Sequence, residues 1–299
     1  VMRNKPGELV QSLEESSYDA WIQFGKSWPD SINSTVNFYS KGAMVSFLLD
    51  MTMRQRTGNQ KSLDDVMKAL YERFPLEGPG YTPDDLRVII EELTGSDFKE
   101  FFAHYIAGAQ PLPLEDVVGV VGLELVFDPA KTEDDDEESE EKPKTDAPAE
   151  EPDGSNGVSG VAPDDRDDAE DDDEPVAAKP VKQKAYLGMN VNDTGGRAVV
   201  SNVLSDGPAY AAGIAAGDEV LAIHGRKLGG GGGDLAERLK QFKPGDSIEV
   251  TLFRHDQLRS VKLTLAGKPD GKWKLRRVKE PTDEQKAAWQ SWLGQPWPE

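Results

Sequence analysis

Apolar residues recur at helical spacing through the first 127 positions, and several runs carry their own start and stop signals. Leu13–Phe24 is expected to form a short helix with Trp21 and Phe24 on its apolar side. Asn37–Thr57 is the longest periodic run; Arg54 and Arg56 stand in its last turn, and Gly58 stops it. Ser62 caps an expected helix over Leu63–Phe74, where Val66, Leu70 and Phe74 share a face. Thr82-Pro83 followed by Asp84 and Asp85 opens another that runs to Gly95. Ser96 or Asp97 starts the next, which holds Phe98, Phe101, Phe102 and Tyr105 and ends at Gly108. Short loops between these runs predict an antiparallel helical bundle over 1–127.

The pattern changes at Gly122–Phe127, which reads as a strand, and then collapses. Glu133–Glu141 is acidic at eight of nine positions and Asp164–Glu174 at nine of eleven. So much like charge with so little apolar surface predicts a disordered acidic linker over 128–184. Alternating runs return at Tyr186–Val191, Ala198–Val203, Glu219–Ile223, Ser247–Arg254 and Ser260–Ala266. Helices are expected at Ala209–Ala212 and Leu235–Phe242. Together 185–278 predicts a small, partly open β-barrel with two helices. The remaining 279–299 forms an amphipathic tail, with Trp289 and Trp292 in Thr282–Trp292, expected to pack against a domain.

Charge sharpens this division. Between Asp128 and Lys184 there are 22 acidic and 7 basic residues, a net of −15, leaving only −6 of the total −21 for the rest. The acidity therefore belongs to the linker, and no nucleic-acid partner is expected, because phosphates need basic surfaces. The acidic runs lack the spaced Asp-x-Asp-x-Asp-Gly loop of a calcium site and read as a solvated spacer. The absence of cysteine excludes disulfides, thiolate metal sites and a cysteine nucleophile. No apolar run approaches the roughly 20 residues of a membrane span. The opening Val-Met-Arg-Asn-Lys-Pro-Gly is not signal-like, so an export signal would have to lie upstream.

The chemistry begins at Phe38-Tyr39-Ser40-Lys41-Gly42-Ala43. With Arg56-Thr57-Gly58, Ser62-Leu63-Asp64-Asp65-Val66, Tyr81-Thr82-Pro83-Asp84-Asp85, Glu92-Leu93-Thr94-Gly95, Pro113-Leu114-Glu115 and Gly122-Leu123-Glu124-Leu125, this stretch resembles the glycyl aminopeptidase family of gluzincin-type zinc metallopeptidases. The resemblance implies that Tyr39 is the catalytic tyrosine, donating a hydrogen bond to the developing oxyanion beside zinc-activated water. It also implies removal of N-terminal residues, glycine or alanine among them. The alternative for Tyr39 is a buried aromatic on a core helix. No His-Glu-x-x-His occurs, and His104, His224 and His255 are far apart. Zinc is therefore expected only in the complete enzyme, on ligands outside this chain, which alone is expected to be inactive. His104, among Phe101, Phe102 and Tyr105, reads as a packing or surface residue. Phe38, Phe47 and Leu48 are candidates for packing against an upstream catalytic segment.

A second resemblance rests on Tyr186-Leu187-Gly188-Met189-Asn190-Val191, Gly207-Pro208-Ala209, Ala212-Gly213-Ile214 and Gly217-Asp218-Glu219-Val220-Leu221-Ala222-Ile223-His224-Gly225. These resemble a PDZ domain of the bacterial protease-associated type. The resemblance implies that Leu187, Gly188, Met189 and Val191 bind a peptide C-terminus, with backbone N–H groups on the carboxylate and a strand pairing with the peptide. Leu235–Phe242 would wall the groove, and Gly188 would keep side chains off the carboxylate. The other reading is a groove filled by a neighbouring segment of the same protein. Gly229–Gly233 is either a hinge for the groove helix or a flexible insertion.

The sequence therefore predicts part of a zinc aminopeptidase with a PDZ-like domain. Its expected partners are peptide substrates or peptide C-termini and an upstream catalytic segment. The alternative is a non-enzymatic peptide-binding protein. PDZ-bearing bacterial peptidases point to the periplasm or cell envelope, with a cytoplasmic location left open.

Overall fold

A computed structural model describes residues 5–23, 25–26, 28–129, 182–230 and 232–298. Most of the expected linker, and Phe24, lie outside the described residues. After a 3-10 turn at Pro6–Leu9 come α1 (Leu13–Tyr18), α2 (Ala20–Gln23) and α3 (Ser31–Ser34). The expected single helix is thus split at Asp19. Beyond the break Trp21 is 81% exposed rather than on a buried face, because only α1 is held down, its Ser16 hydroxyl donating to the Val36 carbonyl at 2.8 Å.

Then follow α4 (Phe38–Arg56), α5 (Leu63–Arg73), α6 (Pro83–Thr94), α7 (Lys99–Tyr105) and α8 (Leu114–Val118). Their starts are chemical. Asn37 accepts from the Ser40 N–H at 3.0 Å, and the Asp65 carboxylate accepts from the Ser62 N–H at 3.0 Å. Val45, Leu48, Met51, Val66, Ile89 and Phe98 share one core. Leu48 is buried in that core and Phe47 packs on Trp292 at 5.7 Å. Leu48 thus belongs to this chain's own core, and the half-buried Phe47 takes a partner from the tail.

At α6 the Thr82 hydroxyl and N–H both donate to the Asp85 carboxylate, at 2.6 and 2.8 Å. These bonds hold the Asp85 carboxyl below its ordinary value of 3.8. A lowered carboxyl stabilises the fold fully above its ordinary value, and that contribution is lost as pH falls through the lowered one. Amide exchange in the first turn of α6 should therefore accelerate only in acid, with the Asp85 carbon shifts titrating below 3.8.

The second unit runs β2 (Gln183–Tyr186), β3 (Met189–Asp193), β4 (Ala198–Val203), α9 (Pro208–Ala211), β5 (Glu219–Ile223), β6 (Arg226–Lys227), α10 (Gly232–Leu239), β7 (Ser247–Arg254), β8 (Gln257–Thr264) and β9 (Ala266–Pro269). Its main sheet has the order β3-β4-β5-β7-β8, with β6 beside β5, while β2 pairs with β9. The sheet does not close, and the partly open character expected of it is complete: among the described residues β3 and β8 are edges and do not meet. Leu187, Val200, Ile223, Val250 and Leu252 fill its core.

The chain enters this unit from β1 (Leu123–Pro129) and leaves it through β10 (Gly271–Arg277), and these two strands pair antiparallel from Leu123↔Arg277 to Pro129↔Gly271. The β unit is therefore inserted between two parts of the helical one. After β10, α11 (Asp283–Leu293) returns to the helices. Gln285 Nε2 donates to the Gly119 carbonyl at 2.8 Å and Arg54 to the Ser291 hydroxyl at 2.9 Å.

Candidate functional site

Tyr39 stands in the first turn of α4, 64% exposed, so it is no buried core aromatic. Its ring lies 4.3 Å from that of Phe38. It borders a cavity of about 420 Å³ together with Gln11, Trp28, Ile32, Phe38 and Asn202. Two contacts fix the start of this helix. Asn37 caps it, and the neighbouring Lys41, only 1% exposed, donates to the carbonyls of Glu8 and Gln11, each at 3.3 Å. Burial pushes the Lys41 ammonium below its ordinary value, which the Glu8 carboxylate partly offsets. Burial likewise raises Glu8. A charge so placed anchors the segment before α1 to the helix that presents Tyr39.

Zinc would need a cluster of ligands. Among the described residues no group of three or more His, Asp or Glu side chains could hold a metal ion. His104 is half-buried beside Tyr105, at 6.0 Å between rings, and His224 packs on Phe242 at 5.5 Å. These residues do not fit a zinc site.

In the β unit, Leu187 is buried in the core, and Met189 and Val191 line its edge on β3. The Leu187 carbonyl accepts from Ala209 N–H at 2.9 Å and the Gly188 carbonyl from Leu204 N–H at 2.8 Å, so both carbonyls are held inside the unit. Gly188 has φ +76°, and a Cβ there would sit 2.7 Å from the Gly207 Cα. A glycine there is thus required by its positive φ and by backbone contact with Gly207.

Among the described residues β3 pairs only with β4, and its other edge faces α10. Between them runs a groove of about 780 Å³ lined by Met189, Val191, Leu235 and Leu239. The glycine run that leads into α10 is docked at Gly230, where a side chain would collide with Asp193, and at Gly229, whose N–H donates to Asp234. Gly231 lies outside the described residues.

Sequence reasoning missed the far wall of this groove. Trp28 and Pro29, from the helical unit, line it too, beside Asn190 and Asn202. Asn33 fixes that placement, donating from Nδ2 to the Val203 carbonyl at 2.8 Å and accepting the Ser205 N–H at 2.9 Å on Oδ1. Trp28, Ser31 and Asn202 border both the groove and the Tyr39 cavity, which makes them neighbours. No local signal marks Trp28, because its partners lie far along the chain.

Comparison with known proteins agrees with this division. Residues 1–45 match the M61 glycyl aminopeptidase family and residues 185–265 match a PDZ domain. The family match is shorter than the 1–127 over which motifs resemble it. An aminopeptidase N family protein of Idiomarina loihiensis superposes with a TM-score of 0.67 at 22% identity, covering 95% of this chain and 41% of that one. That likeness shows a shared fold. The Brucella suis protein named "Probable periplasmic serine endoprotease DegP-like" is 30% identical over 99 residues, 33% of this chain and 19% of its own length. A protein of the same name in Bartonella henselae is 27% identical over 95 residues, 32% of this chain and 18% of its own. The chain thus spans about a fifth of the length of these curated relatives. No helix among the described residues is long and apolar enough to cross a membrane. The chain therefore joins a segment similar to the M61 glycyl aminopeptidase family, over residues 1–45, to a PDZ domain over 185–265.

Proposed function

We propose that this chain supplies the tyrosine-bearing wall and a peptide-binding groove to a zinc-dependent aminopeptidase that removes N-terminal residues, glycine or alanine among them. What supports the reading is Tyr39: it lies inside the matched residues 1–45, opens α4, and is exposed beside a cavity. A catalytic segment elsewhere in the protein carries the zinc. The Tyr39 hydroxyl donates to the oxyanion that forms when the scissile carbonyl becomes tetrahedral. It binds that oxygen more tightly as charge develops, and so lowers the barrier. The names of the DegP-like relatives support a periplasmic or envelope location.

In the whole protein, Tyr39→Phe should lower kcat on alanyl or glycyl anilides by about 10²–10³-fold, as loss of one oxyanion donor does. KM and zinc content should stay near their original values. An unchanged kcat would overturn the catalytic role. The groove beside β3 favours a second reading, peptide binding without catalysis. That reading stands if the whole protein holds no zinc and cleaves no anilide but still binds peptide C-termini.

A further inference from the structure

The PDZ groove has a wall that the PDZ unit does not supply. We infer that Trp28 and Pro29 of the helical unit form a subsite for the penultimate side chain of a bound peptide, selecting an aromatic residue there. This inference rests on the peptide-binding reading of the groove.

The geometry follows from strand pairing. A carboxylate received by the loop at Leu187–Gly188 lies just before β3, so the peptide must run antiparallel to β3 along its unpaired edge. Successive side chains of a strand point to opposite faces. The last side chain then enters the apolar space of Met189, Val191, Leu235 and Leu239. The penultimate one must point the other way, toward Asn190, Asn202 and Trp28.

Its position along the strand fits as well. Asn190 pairs with Asn202 at the start of β3, at the carboxylate end. The Asn190 amide donates to the Asn202 side-chain oxygen at 2.7 Å, forming a polar floor. A register shift after Asn190 inserts Ser201 into β4, and the Ser201 hydroxyl joins this floor by donating to the Asn190 carbonyl at 3.2 Å. Asn33 holds the helical segment beside that end through Val203 and Ser205. An indole lining the same groove as this amide and hydroxyl floor suits a ring with a polar tip, tyrosine above all.

Octapeptides ending in Tyr-Val, Ala-Val and Asp-Val should be titrated into the full chain by calorimetry, with a C-terminally amidated Tyr-Val peptide as control. The Tyr-Val peptide should bind about tenfold more tightly than Ala-Val, the scale of one aromatic pair. Trp28→Ala should erase that preference, so that the Tyr-Val and Ala-Val peptides bind alike. Trp28 is a surface residue, and unchanged circular dichroism would confirm that the variant folds. Binding without a penultimate preference, or a preference that survives Trp28→Ala, would overturn the subsite and leave the groove reading intact. Failure of every peptide to bind, or equal binding of the amidated one, would overturn the groove reading and the subsite with it.

Discussion

Arg254→Ala should destabilise the β unit by about 3–5 kcal/mol, the cost of stranding one member of a buried ion pair. Asp218, in the Gly-Asp stretch before β5, is 1% exposed, and both of its oxygens accept from Arg254 at 2.7 Å. Asp218 in turn raises the Arg254 guanidinium above its ordinary value. Without the guanidinium the carboxylate keeps only the Ala215 N–H, at 2.9 Å. Arg254 also donates to the Gly213 carbonyl at 2.7 Å, so the same change frees the turn after α9. Arg254→Lys should recover only part of the loss, since an ammonium cannot bond both oxygens in a fork. All six tryptophans lie outside 182–270. Urea unfolding followed by far-UV circular dichroism and by tryptophan emission should therefore separate: an early loss of sheet signal with emission little moved. Coincident, unshifted transitions would show that the pair contributes nothing.

Arg54→Ala should be comparably costly in the helical unit, again about 3–5 kcal/mol. Arg54 is 4% exposed and donates to Asp50 at 3.0 Å, to Asn59 at 2.9 Å and to Ser291 at 2.9 Å. Asp50 also accepts the Leu63 N–H at 2.9 Å, which caps α5. One guanidinium therefore ties α4, the turn after it, the start of α5 and the C-terminal α11. Removing it leaves the Asp50 carboxylate buried beside a single amide donor, and loosens α11, whose Trp289 packs on Trp292 and on Trp297 beyond the helix. The variant should show a red-shifted tryptophan emission and a lowered urea midpoint. Ser291→Ala should cost about 1 kcal/mol, because it deletes one hydrogen bond and strands no carboxylate. Equal costs for Arg54→Ala and Ser291→Ala would show that the Asp50 carboxylate is not the source.

The helices were legible for a local reason. Ser62 and Thr82 act on residues three positions away, so their caps can be read from a short window. The break at Asp19 was not, because the apolar spacing around Trp21 mimics a continuous helix. Gly188 was noticed for its place in a motif, but its contact with Gly207, made only when the loop closes on α9, was not legible. Asp218 was visible as part of a motif, but its partner Arg254 lies 36 positions on, and nothing in the pattern joins them. The same holds for β10: Gly271–Arg277 carries no run that predicts pairing with β1.

By itself, the sequence determined where apolar faces begin and end, which residues stop each helix, and that a mostly helical region precedes a strand-rich one. Those properties depend on neighbours within a few residues. Only the tertiary structure decided that the β unit is inserted between β1 and β10, that α11 returns to the helical core, and that Trp28 walls a groove formed by β3 and α10. Asn33 meets Val203 across 170 positions. Such a contact leaves no period or spacing in the chain, because it is selected by the packing of two finished surfaces rather than by the conformation of either segment.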